Sequence, residues 1–225
     1  MFKHLLRLCI AVLIATPAMA TTPRDILLDA AFHARDKSVA LAQIGRAEAQ
    51  ADALLARAPD DHEAALMQAM ATAYRAKLRH SRSDALAARK MFDALLARDP
   101  KNAELQAAVG AWHIDAVTEL GGFLAGAVLG AKRSTGLAAI DRAVALGGNR
   151  AMFAGLAALL RLSLDAEDEK ARVLAETASH APTPSEMDRQ MRRSALAILV
   201  PLRAGDTEAA QKLARQSLPF GQIQR

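Results

Sequence analysis

His113, Asp115 and Glu119 put an imidazole and two carboxylates into one short stretch of chain, and these are residue types that hold zinc and related metals. A metal site needs three or four such groups to converge, and on a helix the converging groups stand three or four residues apart. The position four after His113 is Val117, and His33, His62, His80 and His180 are scattered singly. No metal and no other cofactor is expected. Catalytic patterns are missing in the same way. The sequence has no glycine-flanked serine elbow, no phosphate-cradling glycine loop and no His-Glu-x-x-His run. Its serines and acids mostly fall where helix caps and solvated faces need them, so the chain reads as a non-enzyme.

Binding groups are more plausible than reacting ones. Trp112 and Tyr74 are the sole tryptophan and tyrosine. A ligand could stack on either ring, or Trp112 could anchor the core between neighbouring helices. The stretch from Leu120 to Ala131 carries no charge, and Gly122, Gly126 and Gly130 recur in it every four residues. On a helix these glycines would form a smooth small-residue face. Twelve residues are too few to span a bilayer. Three readings follow: an inserted helix packed tightly in the fold, a lid over an apolar groove carried by Phe123, Leu124 and Val128, or a patch that touches lipid.

The elements that must position these residues are helices. Hydrophobic residues make up 52% of the chain and aromatic ones 4%, with alanine and leucine dominating. Alanine is the best helix former because it loses no side-chain entropy, whereas sheets favour β-branched and aromatic residues. No alternating run of the kind a half-buried strand needs is present, and the class is all-α. The segment Asp52-Ala53-Leu54-Leu55-Ala56-Arg57-Ala58-Pro59 recurs as Asp93-Ala94-Leu95-Leu96-Ala97-Arg98-Asp99-Pro100, an offset of 41 residues. Each copy ends one helix, because proline cannot continue it, and leads into capping residues for the next. Helices are expected over 23–35, 38–58, 61–79, 83–98, 102–119, 134–147, 149–163, 166–179, 183–203 and 206–217. The last long one is expected to start at a capping box, Thr183-Pro184-Ser185-Glu186.

Ala88, Phe92 and Leu95 before Pro100, and Ala47, Ala51 and Leu54 before Pro59, resemble the second-helix signature of the tetratricopeptide repeat. Val109-Gly110 occupies the place of that repeat's Leu-Gly pair, where glycine lets two helices approach closely. Gly136, Ile140 and Ala143 keep the second-helix spacing downstream, with Gly147-Gly148-Asn149 as a stop. The stretch from Val109 to Val117 is also similar to tetratricopeptide proteins related to regulators of microtubule dynamics. The resemblance implies a short α-solenoid of about five antiparallel helical hairpins, with an irregular helical bundle as the alternative. It also implies a concave groove lined by first helices, with Ala107, Ala111, Ile114 and Asp115 upon it.

Residues 1–20 read as an address. Lys3, His4 and Arg7 form a basic start, Leu8 to Ala15 an apolar run, and Ala18-Met19-Ala20 a cleavage site. A Sec-type signal peptide cleaved after Ala20 is expected, leaving residues 21–225 as one repeat domain in a bacterial periplasm. No stable membrane span then remains. The sole cysteine, Cys9, lies in the leader without a lipobox, so the mature domain has no disulfide to hold it. Net charge is +5, and losing Lys3 and Arg7 reduces the 29 basic side chains to 27 against 24 acidic. These are interspersed without a basic stripe, which speaks against nucleic acid as a partner. The first functional expectation is a scaffold or adaptor holding a protein or peptide. The second is a carrier of a small hydrophobic ligand or lipid, resembling the T-component proteins associated with TRAP transporters. The third is an accessory subunit of a cell-envelope enzyme.

Overall fold

Short polar side chains mark most helix starts. In the computed structural model, which describes residues 21–223, eleven helices are formed: α1 (Pro23–Phe32), α2 (Lys37–Arg57), α3 (His62–Arg79), α4 (Arg82–Arg98), α5 (Ala103–Leu120), α6 (Gly122–Leu129), α7 (Arg133–Leu146), α8 (Ala151–Leu164), α9 (Glu169–His180), α10 (Glu186–Arg203) and α11 (Thr207–Ser217). Thr22, Asp36, Asp61, Ser81, Asn102, Asp168, Ser185 and Asp206 each accept a backbone N–H of the first turn that follows. Those amides have no partner within the helix, so each cap contributes about 1 kcal/mol. The signal peptide expected over 1–20 lies outside the described residues.

The 41-residue repeat is visible in the backbone. Ala58 and Asp99, which precede Pro59 and Pro100, end α2 and α4 in nearly the same conformation (φ −138°, ψ 86° and φ −135°, ψ 78°). A following proline disfavours the helical region, and both chains leave the helix as that rule requires. Ala47 and Ala51 in α2, and Ala88 and Phe92 in α4, are buried at corresponding places. Leu54 departs from the pattern and lies exposed.

Pairs α1/α2, α3/α4, α5/α7, α8/α9 and α10/α11 form antiparallel hairpins, and each second helix also packs on the next first helix. The result is a short all-α solenoid. Its tightest crossing is between α5 and α7. A Cβ on Gly110 would stand 2.4 Å from Ile140 Cγ2, and one on Gly136 would stand 2.8 Å from Ile114 Cγ1. Only glycine permits that approach.

Helix α6 stands outside the ten expected, as the inserted helix among the three readings of 120–131, and two further features depart from them. The capping box of α10 is built by Ser185 and Asp188, not by Thr183, because Asp188 reaches back to the Ser185 amide while Ser185 Oγ accepts from the Asp188 amide. The C-terminus also does more than complete a hairpin. From α11, Gln211 Nε2 donates to the Leu162 carbonyl (2.8 Å) and Arg215 donates to that of Ser163 (3.0 Å), satisfying the end of α8. The chain beyond α11 then returns to α1, where the Phe220 amide donates to the Ala31 carbonyl at 2.7 Å.

Candidate functional site

The first helix of each hairpin turns one face toward a common interior. Because α1, α3, α5, α8 and α10 all contribute, and the segment after α11 adds Leu218 and Pro219, the faces line a half-open cavity of about 540 Å³. That size falls within the roughly 300–1,000 Å³ typical of small-molecule sites. The wall is apolar through its middle, with Leu27, Leu66, Met70, Ala108, Met152 and Leu156 among its side chains. Alanines at 107, 108 and 111 keep α5 thin there, and this creates much of the space.

Charge is confined to the two ends. At one end the Arg24 guanidinium donates to both oxygens of Glu63 (2.6 and 2.7 Å) and to Glu104 (2.8 Å). Arg150 lies 3.8 Å from the other Glu104 oxygen and donates to Asp188 at 2.8 Å. The Asp188 side chain is 0% exposed and also accepts the Met152 amide at 2.9 Å. Burial alone would raise its pKa, but the hydrogen bonds from Arg150, Ser185 and Met152 outweigh burial and hold it below the usual carboxylate range. At the other end Lys77 donates to Asp115 at 2.8 Å. Arg82 donates through Nε to the Val128 carbonyl at 3.1 Å.

Tyr74 stands between these ends. Its ring packs edge-on against Phe220, with centroids 5.0 Å apart. Burial pushes its phenol well above the ordinary value, and Asp115 pushes it further. Among the described residues no group hydrogen-bonds its hydroxyl, which leaves a polar donor beside the apolar middle of the wall.

The residues singled out in the sequence divide between the cavity and other surroundings. Ala107, Ala111 and Asp115 share one face of α5 and line the cavity. Ile114 does not join them. It is fully buried on the α7 side of the same helix, against Gly136. Trp112 is a core anchor that also borders the cavity. It is only 8% exposed, donates its indole N–H to the Ala85 carbonyl at 3.0 Å, and shows part of its ring to the cavity. Of the lid residues, Val128 reaches the cavity wall, whereas Phe123 (86% exposed) and Leu124 (52%) face outward. The charged end built from Arg24, Glu104, Arg150 and Asp188 was not foreseen, because its members come from separate hairpins and form no local motif. The one available signal was α8, whose sequence is apolar nearly all round, Arg161 and Ser163 excepted, and so marks a surrounded helix.

His113 is buried beside Trp112, with Nδ1 accepting the Lys132 amide at 3.1 Å and Nε2 facing the Arg89 guanidinium. Burial, then Arg89, push its pKa down to about 4. Asp115 and Glu119 point to the cavity instead. Among the described residues no three His, Cys, Asp or Glu side chains are grouped to hold a metal ion, and no helix is long and apolar enough to cross a membrane. Compared with protein-family models, curated proteins and solved structures, the chain matches none.

Proposed function

We propose that this chain is an exported, non-enzymatic carrier that holds an elongated apolar or amphipathic small molecule in the cavity lined by its first helices. The observation that carries the reading is the apolar middle of that cavity. An extended peptide laid there would bury many of its amides and carbonyls against leucine, methionine and alanine, with few polar partners away from the charged ends. Each unsatisfied backbone group costs about 1–3 kcal/mol. A hydrocarbon chain carries no such penalty, and its polar end would lie beside Tyr74 or the Lys77–Asp115 pair. This favours the carrier over the peptide scaffold expected first from the repeat. Residues 1–20 support periplasmic placement through their signal-peptide pattern.

The test is native mass spectrometry of the protein recovered from a periplasmic extract, followed by titration with a fluorescent fatty-acid analogue. The expected results are a mass beginning at Thr21, a bound small molecule, and saturable probe binding. Ala108→Phe, which fills the cavity from α5, should abolish probe binding while helical content is retained. Probe binding equal in wild type and variant would overturn the reading.

A further inference from the structure

We infer that α6 is a bilayer-contacting element whose outer face enters the headgroup region of an anionic phospholipid surface and sets the cavity mouth against the leaflet. Scattered exposed leucines are ordinary on protein surfaces, but a contiguous apolar patch is not. Here Leu120, Phe123, Leu124 and Val128 are all exposed within an uncharged stretch.

The helix is held from within. Ala125 is its one buried residue, the Ala131 amide closes back on the Ala125 carbonyl (3.0 Å), and Arg82 clasps the Val128 carbonyl. Gly121 (φ 77°) and Gly130 (φ 69°) bracket it in conformations that other residues resist. The apolar face is therefore presented outward by a defined seat.

Two observations select a bilayer as the occupant. The patch is continuous with the cavity, since Leu120, Val128 and Leu129 belong to its wall. Cations also border it: Arg82, whose hydrogen bond goes to a carbonyl, and Lys132 and Arg133 directly after the apolar stretch, with Glu119 as the neighbouring acid and Asp165 drawn to Arg133. Apolar side chains rimmed by cations suit an anionic lipid surface. A stable protein interface takes roughly 20–30 residues a side, far more than an eight-residue helix supplies.

The inference rests on the carrier reading only for the destination of the lipid chain, and the two fail separately. The chain from Thr21, the form that cleavage after Ala20 would leave, is floated with phosphatidylethanolamine–phosphatidylglycerol vesicles and with phosphatidylcholine vesicles. It should float with the anionic vesicles. Phe123→Ser with Leu124→Ser should reduce flotation by about tenfold or more, with an unchanged melting temperature and unchanged uptake of a probe delivered from water. Arg82→Gln with Lys132→Gln should erase the preference for anionic vesicles. Failure of the wild-type chain to float, or equal flotation of the serine variant, overturns the inference. Loss of probe uptake with Phe123-dependent flotation intact would sink the carrier reading alone.

Discussion

Tyr74 and Phe220 meet edge to face, with ring planes at 89°, and this contact joins the middle of the cavity wall to the far end of the chain. Phe220 makes it from a left-handed backbone conformation (φ 63°), which costs a non-glycine residue about 1–2 kcal/mol. Ring packing of this kind returns roughly 0.5–1.5 kcal/mol beyond the buried area. The neighbouring Gly221 is required on separate grounds, since a Cβ there would stand 2.1 Å from the Arg215 carbonyl oxygen. Leu218 and Pro219 thus close part of the cavity on a segment anchored by few residues, which is where exchange of a bound molecule would be easiest.

Replacing Phe220 with alanine should release that segment first. The loss should be about 3 kcal/mol, the low end for a buried Phe→Ala change, because residues 218–223 can peel away without the rest. Hydrogen exchange at the Phe220 amide, which is bonded to Ala31, should rise towards the unprotected rate while α8 amides keep theirs. Equal loss of protection throughout α8 would show that the end does not move independently.

The crossing of α5 and α7 should tolerate no added carbon. Gly110→Ala would drive a methyl into Ile140, whose backbone nitrogen is also only 3.0 Å from that position. Overpacking of this kind costs about 1–3 kcal/mol, and urea denaturation should show it as a lower midpoint at constant slope. Gly45→Ala is the matched control, because that site has nothing within 4 Å and alanine is the better helix former.

Gly110 also shows how far the sequence could be read. That glycine at 110 would let two helices approach closely was legible, as were the ten helices expected along the chain, which correspond to α1–α5 and α7–α11, because proline stops, polar caps and small-residue spacing are local signals; that Gly136 faces it was not. The cavity was less so. The repeat resemblance placed Ala107, Ala111, Ile114 and Asp115 on the groove, and the first two with Asp115 do line the cavity, but Ile114 sits at the edge of that face and the neighbouring α7 claimed it. The Arg24–Glu104–Arg150 end and the return of Phe220 to Ala31 depend on how hairpins stack over long sequence separations, and no spacing within a helix encodes that.

Asp188 should be the most sensitive single carboxylate. Asp188→Ala would leave Arg150 without its closest partner and the Met152 amide without an acceptor. Because Arg150 is 31% exposed and stays near Glu104, the cost should fall at the low end of that for a fully buried pair, about 3 kcal/mol. Asp188→Asn keeps an acceptor and should cost less, about 1–3 kcal/mol. Both can be read from chemical denaturation at neutral pH, and identical losses would show that charge, not hydrogen bonding, dominates the site.

His113 should make the fold sensitive to mild acid. Its pKa is about 4 in the folded chain against an ordinary 6.5, because burial and Arg89, with Lys132 adding to them, disfavour the imidazolium more than Asp93 favours it. Between those values the unfolded chain binds the proton and the folded chain does not. The stabilisation tied to a neutral His113 is therefore complete above about pH 6.5 and declines as pH falls toward 4. The total is on the order of 3 kcal/mol, roughly 2–3 of it lost by pH 4.5. NMR titration of the ring should show no midpoint above pH 5, and His113→Phe should flatten the fall in stability between pH 7 and 4.5, although it sacrifices the acceptor for the Lys132 amide. A ring that titrates near 6.5 in the folded protein would mean that the imidazole swings out to solvent, and the pH dependence would then belong to the carboxylates.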